Sequence, residues 1–183
     1  EINRRLLDQM VLRLAVNGLD ANELEFYHQP PKEQIRIAKE KLILLGIMKE
    51  NGKTNLIANE IVRFPVDVHL ARMIVEANKN KVGKSVSRLV SIQSTKGIRH
   101  YKKESKWKQF VTNYKSDYLA DLEFFNTINS LSRQKLLESG VWTKNYWRSK
   151  EVNKKLNNRI DVLEYSHLDK KEKENLILKS ILA

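Results

Sequence analysis

A mainly α-helical chain is predicted, with a small helical unit carrying a β-wing over residues 1–65 and a helical bundle over 66–183. Three observations predict it. Apolar residues recur at intervals of three and four along almost the whole sequence, as helices with one buried face require. The Asn51-Gly52 step, with its tolerance of positive φ, marks a tight hairpin turn. Phe64-Pro65 closes the first run of elements, because proline has no N–H to continue a helix. A hydrophobic fraction of 41% beside 31% charged residues belongs to a globular chain rather than a disordered one.

The elements follow in order. Residues 3–17 place Leu6, Leu7, Met10, Val11, Leu14 and Ala15 on one helical face, with Asn3 as N-cap and Gly18 as stop. Pro30 and Pro31 open a second helix, whose Ile35, Ala38, Leu42 and Leu45 face one way before Gly46. The turn Glu50-Asn51-Gly52-Lys53 makes the wing, and Asn55 caps a short helix with Ile57, Ile61 and Val62. Helices followed by such a turn suggest a winged-helix unit, with its boundary at Phe64-Pro65-Val66. Asp67 then caps a helix with Leu70, Met73, Ile74 and Ala77, which breaks at 78–83. A helix over 85–93 carries Val86, Leu89, Val90 and Ile92. Ser116 caps another with Leu119, Leu122, Phe125, Ile128 and Leu131, and further helices are expected at about 132–138, 150–164 and 169–182.

The formal charge is +12, and its distribution is uneven. Residues 1–65 carry 10 Lys/Arg against 9 Asp/Glu, whereas 78–115 carry 11 against Glu104 alone. That second stretch interleaves Tyr101, Trp107, Phe110 and Tyr114 with its cations, a mixture that grips phosphates and stacks bases. The bland alternative is a solvated, Lys-rich face. Without Cys there are no disulfides, thiolate nucleophiles or thiolate metal sites, and His28, His69, His100 and His167 show no ligand spacing. A metal site is not expected. With no apolar run long enough to span a bilayer and no secretory leader at its start, the chain reads as cytoplasmic. Beginning at Glu1 without Met, it reads as an excised piece of a longer protein.

Gly83-Lys84-Ser85 matches the tail of a phosphate-binding loop, but Asn78 stands where its first glycine belongs and no strand precedes it. A basic turn between helices is the better reading. Asp117, Asp121 and Glu123 share one helix and read as a match to its dipole and as solvent-facing charge rather than as an acid/base pair. No nucleophile, base and oxyanion donor come together as a set. Trp142 and Trp147 sit at helical spacing and read as core, leaving Trp107, between Lys106 and Lys108, as the stacking candidate. Arg72 reads equally well as a functional cation or as the partner of Glu76 one turn on.

Several stretches together resemble the region that follows the motor domains in DEAH-box RNA helicases, most closely the bacterial HrpA-like branch. The resemblance covers nearly the whole chain. EINRRLLDQMVLRLAVNGL and QPPKEQIRIAKEKLILLGIM are similar to the first two winged-helix helices of that family. FPVDVHLARMIVEA at 64–77 is the most specific segment, with Phe64, Pro65, Asp67, Leu70, Ala71, Arg72 and Met73 as the family has them. SIQ at 91–93, SDYLADL at 116–122, and Asn145, Tyr146, Lys150, Val152 and Arg159 resemble later blocks, and NLILKSILA resembles the helix before the family's OB-fold domain. Val68, His69, Ala58, Tyr118 and Asp161 depart from the family's usual residues.

The resemblance implies a winged helix followed by the ratchet-like bundle of the helicase-associated region, an accessory part without a catalytic site of its own. ATP and magnesium would belong to motor domains outside this chain, so no cofactor is expected within it. The implied partners are those motor domains and single-stranded RNA, or DNA, with no membrane. The basic groove would touch the phosphate backbone through Lys84, Arg88, Lys96, Arg99, Lys102, Lys103, Lys106 and Lys108, with Trp107 stacking and with Lys150 and Arg159 next. Two other readings stand beside it. One is a free-standing winged-helix DNA-binding regulator, which the offset of Lys32, Arg36, Lys39 and Lys41 by Glu33 and Glu40 disfavours. The other is a protein-docking module whose lysines are merely solvated.

Overall fold

The computed structural model describes residues 2–113, 115–158, 164 and 167–182. Among them are ten α-helices: α1 (Ile2–Val16), α2 (Lys32–Leu44), α3 (Leu56–Ile61), α4 (Val68–Lys79), α5 (Gly83–Ser94), α6 (Glu104–Lys108), α7 (Asp117–Ile128), α8 (Arg133–Glu138), α9 (Thr143–Asn157) and α10 (Lys170–Ile181). The protein is mainly helical. Strand pairing among the described residues consists of three isolated antiparallel bridges, Met48 with Thr54, Val82 with Glu164, and Arg99 with Val141. The chain forms two compact units, one of residues 1–75 and one of 76–182, so the division falls inside α4. Phe64-Pro65-Val66 lies before that division. No helix among the described residues is long and apolar enough to cross a membrane.

In the first unit α1 packs on α2 and α3, burying Val11, Leu12, Ile35, Leu42, Ile47, Ile61 and Phe64. Asn3 lies within α1 rather than ahead of it. Both α1 and α2 end on a glycine in the left-handed region: Gly46, at φ 63°, lets the Ile47 N–H reach back to the Leu42 carbonyl at 2.9 Å. The turn that follows differs from the expected Asn-Gly pair. The Gly52 N–H closes it onto the Lys49 carbonyl at 2.9 Å, and Gly52 alone supplies positive φ, at 78°, so Glu50 and Asn51 are the central residues. At the expected wing the strand pairing is the single Met48–Thr54 bridge. Its flanks explain this: Gly46 has just ended α2 and Asn55 already begins α3, which leaves no residues to extend the pair. Asn55 caps α3 by position only, since its side-chain amide donates to the Gly46 carbonyl instead.

The second unit is built around α5, which packs against α7, α9 and α10. Gly83, Ser85, Val86, Ser87, Leu89, Val90, Ser91 and Ile92 are all buried, so α5 is enclosed on most sides. Small serines at buried positions let neighbouring helices approach, and Ser91 returns its hydroxyl hydrogen to the Arg88 carbonyl at 2.6 Å. A core of Ile92, Ile98, Trp107, Val111, Phe124, Phe125, Ile128, Leu136, Val141 and Tyr146 lies beside it. The helix expected at 150–164 begins seven residues earlier, at Thr143, and ends at Asn157; residues 159–163 lie outside those described. Its buried face is Tyr146, Ser149 and Leu156, too sparse in apolar residues to announce itself. The short α6 and the 3-10 turn Tyr101–Lys103 before it have no counterpart in the expected elements.

Candidate nucleic-acid interface

The segment after α5 is shaped by two left-handed residues in succession, Lys96 at φ 65° and Gly97 at φ 85°. They turn Ile98 into the core, where it is fully buried. From there residues 98–100 run antiparallel to 140–142. The His100 N–H donates to the Gly140 carbonyl at 3.0 Å and the Trp142 N–H to the Ile98 carbonyl at 2.7 Å. The Asn145 amide donates to the Gly97 carbonyl at 2.8 Å, tying the first turn of α9 to the same place. Gly140 permits this approach: it has φ 79°, and a Cβ there would lie 2.9 Å from the Lys103 carbonyl oxygen and 3.0 Å from the Trp107 nitrogen.

The pairing sets aromatic rings side by side. His100 stacks on Trp142 with centroids 5.1 Å apart and planes 25° apart, and on Tyr101 at 5.5 Å and 22°. Tyr101 is 69% exposed and Trp142 42% exposed. Lys102 holds its ammonium 5.7 Å from the Tyr101 ring. Trp147, 50% exposed, and the buried Tyr146 both lie near Lys150, whose Nζ is 5.4 Å from the Trp147 ring and 5.6 Å from that of Tyr146.

Two aromatic expectations are therefore reversed. Trp142 and Trp147, expected in the core, are exposed, and Trp107, expected to stack on bases, is 8% exposed within the core. The lysines beside Trp107 misled because adjacent residues on a helix point about 100° apart: Lys106 and Lys108 are exposed while the indole turns inward. Its N–H has no hydrogen-bond partner among the described residues, and the Arg99 guanidinium covers its ring at 4.7 Å.

Arg99 is drawn into the fold rather than offered to a ligand. Its Nε donates to Asp121 at 2.6 Å and its terminal nitrogen to Asp117 at 3.0 Å. Burial works against its charge, but the Asp121 and Asp117 carboxylates outweigh burial, so its pKa lies above the ordinary value. Asp121 is buried, not solvent-facing as expected; burial raises its pKa, and Arg99 opposes that shift without cancelling it. Glu123 is likewise engaged, accepting from the Thr112 and Asn113 N–H groups, both at 2.8 Å. Burial acts against its charge, but these bonds and the Thr112 hydroxyl hold its pKa below the ordinary value.

The remaining candidates divide by location. Lys84, Lys96, Lys102, Lys103, Lys106 and Lys108 are exposed. Arg88 is half-buried and donates to Asn126 at 3.1 Å. Lys150 is half-buried beside its rings, and Arg159 lies outside the described residues. One group was missed. Lys144, Trp147, Arg148, Glu151, Lys154 and Lys155 are all exposed on α9 at helical spacing, a stripe of four cations, one indole and one carboxylate. None of the four cations has an ion pair among the described residues. The spacing was readable, and placing the helix at 150–164 hid it.

The phosphate-loop-like Gly83-Lys84-Ser85 begins α5, and the protein's own carboxylate occupies that helix end. Glu164 accepts from the Ser85 N–H at 2.9 Å and from its hydroxyl at 2.6 Å, with Lys173 at 2.6 Å. No family model matches the chain.

Proposed function

We propose that this chain is a nucleic-acid-binding accessory module of a DEAH-box-type, ATP-dependent RNA helicase, cytoplasmic in setting, and that it guides a single strand by contacts to the phosphate backbone. One observation carries the reading. Between 78 and 115 the chain carries 11 Lys/Arg against one Glu, and Lys84, Lys96, Lys102, Lys103, Lys106 and Lys108 stand exposed there. Such a surface binds polyanions without reading sequence, through release of their condensed counterions. In this reading the first unit is a winged helix with a one-bridge wing, the second a ratchet-like bundle, and ATP and magnesium are held by motor domains on which both pack. The order helix, helix, tight turn, short helix supports the first part.

The competing DNA-regulator reading needs a basic face on α2. There Arg36 pairs with both Glu33 and Glu40, Lys39 with Asp20 and Lys41 with Asp8, which leaves a nearly neutral surface. A docking role draws support from the exposed Ile37, Leu44 and Leu56 of the first unit and is compatible with strand guiding.

Fluorescence-anisotropy titration of labelled single strands of random sequence, as RNA and as DNA, tests the proposal at low and physiological salt. Binding should be sequence-tolerant and fall steeply with salt. The variant with Lys102, Lys103, Lys106 and Lys108 changed to Ala should lose most of it. Absence of binding at low salt would leave docking as the role of the isolated chain.

A further inference from the structure

We propose that His100, Tyr101 and Trp142 form a platform on which an unpaired nucleobase of the bound strand stacks, while the outer face of α9 receives the adjoining phosphates. The inference rests on the reading of the chain as a single-strand binder and names how one nucleotide is held.

The rings are not stray surface aromatics. His100 and Trp142 lie on opposite sides of one bridged pair, fixed by hydrogen bonds of 3.0 and 2.7 Å to the facing backbone, and stack on each other at 5.1 Å. Tyr101 lies 5.5 Å from His100 and, tilted by 43°, 6.4 Å from Trp142, so the three rings form one cluster. The platform is therefore held before any ligand arrives, so little further ordering opposes binding. Its indole keeps 42% exposure even with His100 against it, and Tyr101 keeps 69%. A second unit that buries Trp107, Phe124, Phe125 and Tyr146 leaves these rings outside its core.

The surroundings select the occupant. An apolar protein partner would call for an apolar rim. Here Lys102 lies against the Tyr101 ring, Lys103 and Lys106 are exposed beyond it, and the α9 stripe opens at Lys144, two residues after Trp142. Phosphate alone would need cations but no rings. Flat rings bordered by cations fit a group with a π face joined to a polyanion, which is a nucleotide in a single strand. Duplex bases are already stacked on each other, so the platform favours single strands. Every base has a π face, and the larger purines should be preferred modestly.

The test compares the 183-residue chain with two probes of equal length, a single-stranded oligoadenylate and an abasic oligomer with the same sugar–phosphate backbone. Native protein should bind the base-bearing strand about tenfold more tightly than the abasic one, with quenching of tryptophan fluorescence only by the former. Trp142→Ala and, separately, Tyr101→Ala should bring that ratio towards one, and Trp142→Phe should keep most of it. Tyr101→Ala guards against misfolding of the Trp142 variant, because Tyr101 is the more exposed ring. A ratio near one in the native protein, with salt-dependent binding of both probes, would overturn the platform and leave backbone guiding intact. Failure of both probes at low salt would overturn both.

Discussion

Lys96 stands where a helix C-terminus usually has glycine. At φ 65° its Cβ is crowded by its own backbone, a strain of about 1 kcal/mol for a side chain in the left-handed region. It is also one of the exposed cations of the 78–115 stretch. Lys96→Gly therefore tests the turn and the charge separately. Stability to urea should change by less than about 1 kcal/mol, most simply upwards, because relief of strain is offset by the freer unfolded chain. Affinity for single strands should fall by a few-fold. Loss of stability with unchanged affinity would mean that Lys96 serves the turn alone. The same scale shows why single residues were misassigned from sequence. Arg99 looked like another member of a basic run, yet Asp117 and Asp121, far along the chain, claim it. Trp107 looked wet because its neighbours are lysines, and only the packing of α6 shows which side of the helix it occupies.

At the scale of elements, helix cores and stops were legible, since they depend on local patterns: Leu70, Met73, Ile74 and Ala77 all fall on α4, and Gly18 and Gly46 follow α1 and α2. What binds one element to another was not. The cap of α5 comes from Glu164, 79 residues from Ser85, and no local pattern announces it. Burial raises the Glu164 pKa, but hydrogen bonds from Lys173 and Ser85 outweigh it and hold the carboxyl below the ordinary range. The sign of its effect on stability follows. A depressed folded pKa means that the anion is favoured by folding, so its contribution is fully present above the unfolded value, about 4.3, and is lost as pH falls through the folded value. Glu164→Gln should cost about 1 kcal/mol at neutral pH and flatten the acid limb of the stability curve below about pH 4.3. Denaturant melts from pH 3 to 7 check this; parallel curves for native and variant protein would show that the carboxylate charge does not hold the α5 terminus.

For the molecule as a whole, charge is partitioned between the units. The first pairs nearly every cation of α2 with a carboxylate, while the second leaves Lys144, Arg148, Lys154 and Lys155 unpaired among the described residues on one face of α9. Surface pairs contribute little to stability, so the difference acts on long-range attraction, and a strand should be drawn to the second unit. Changing those four α9 residues together to Gln should leave the melting temperature nearly unmoved, because no ion pair is broken. It should lower the slope of log affinity against log salt by about 0.7 for each phosphate contact removed. Changing Lys39 and Lys41 to Gln should do the reverse: their partly buried pairs with Asp20 and Asp8 are broken, stability falls, and the salt slope stays. If instead the α2 variant reduced the slope and the α9 variant did not, the strand would run over the first unit, and α9 would be a solvated helix with no part in binding.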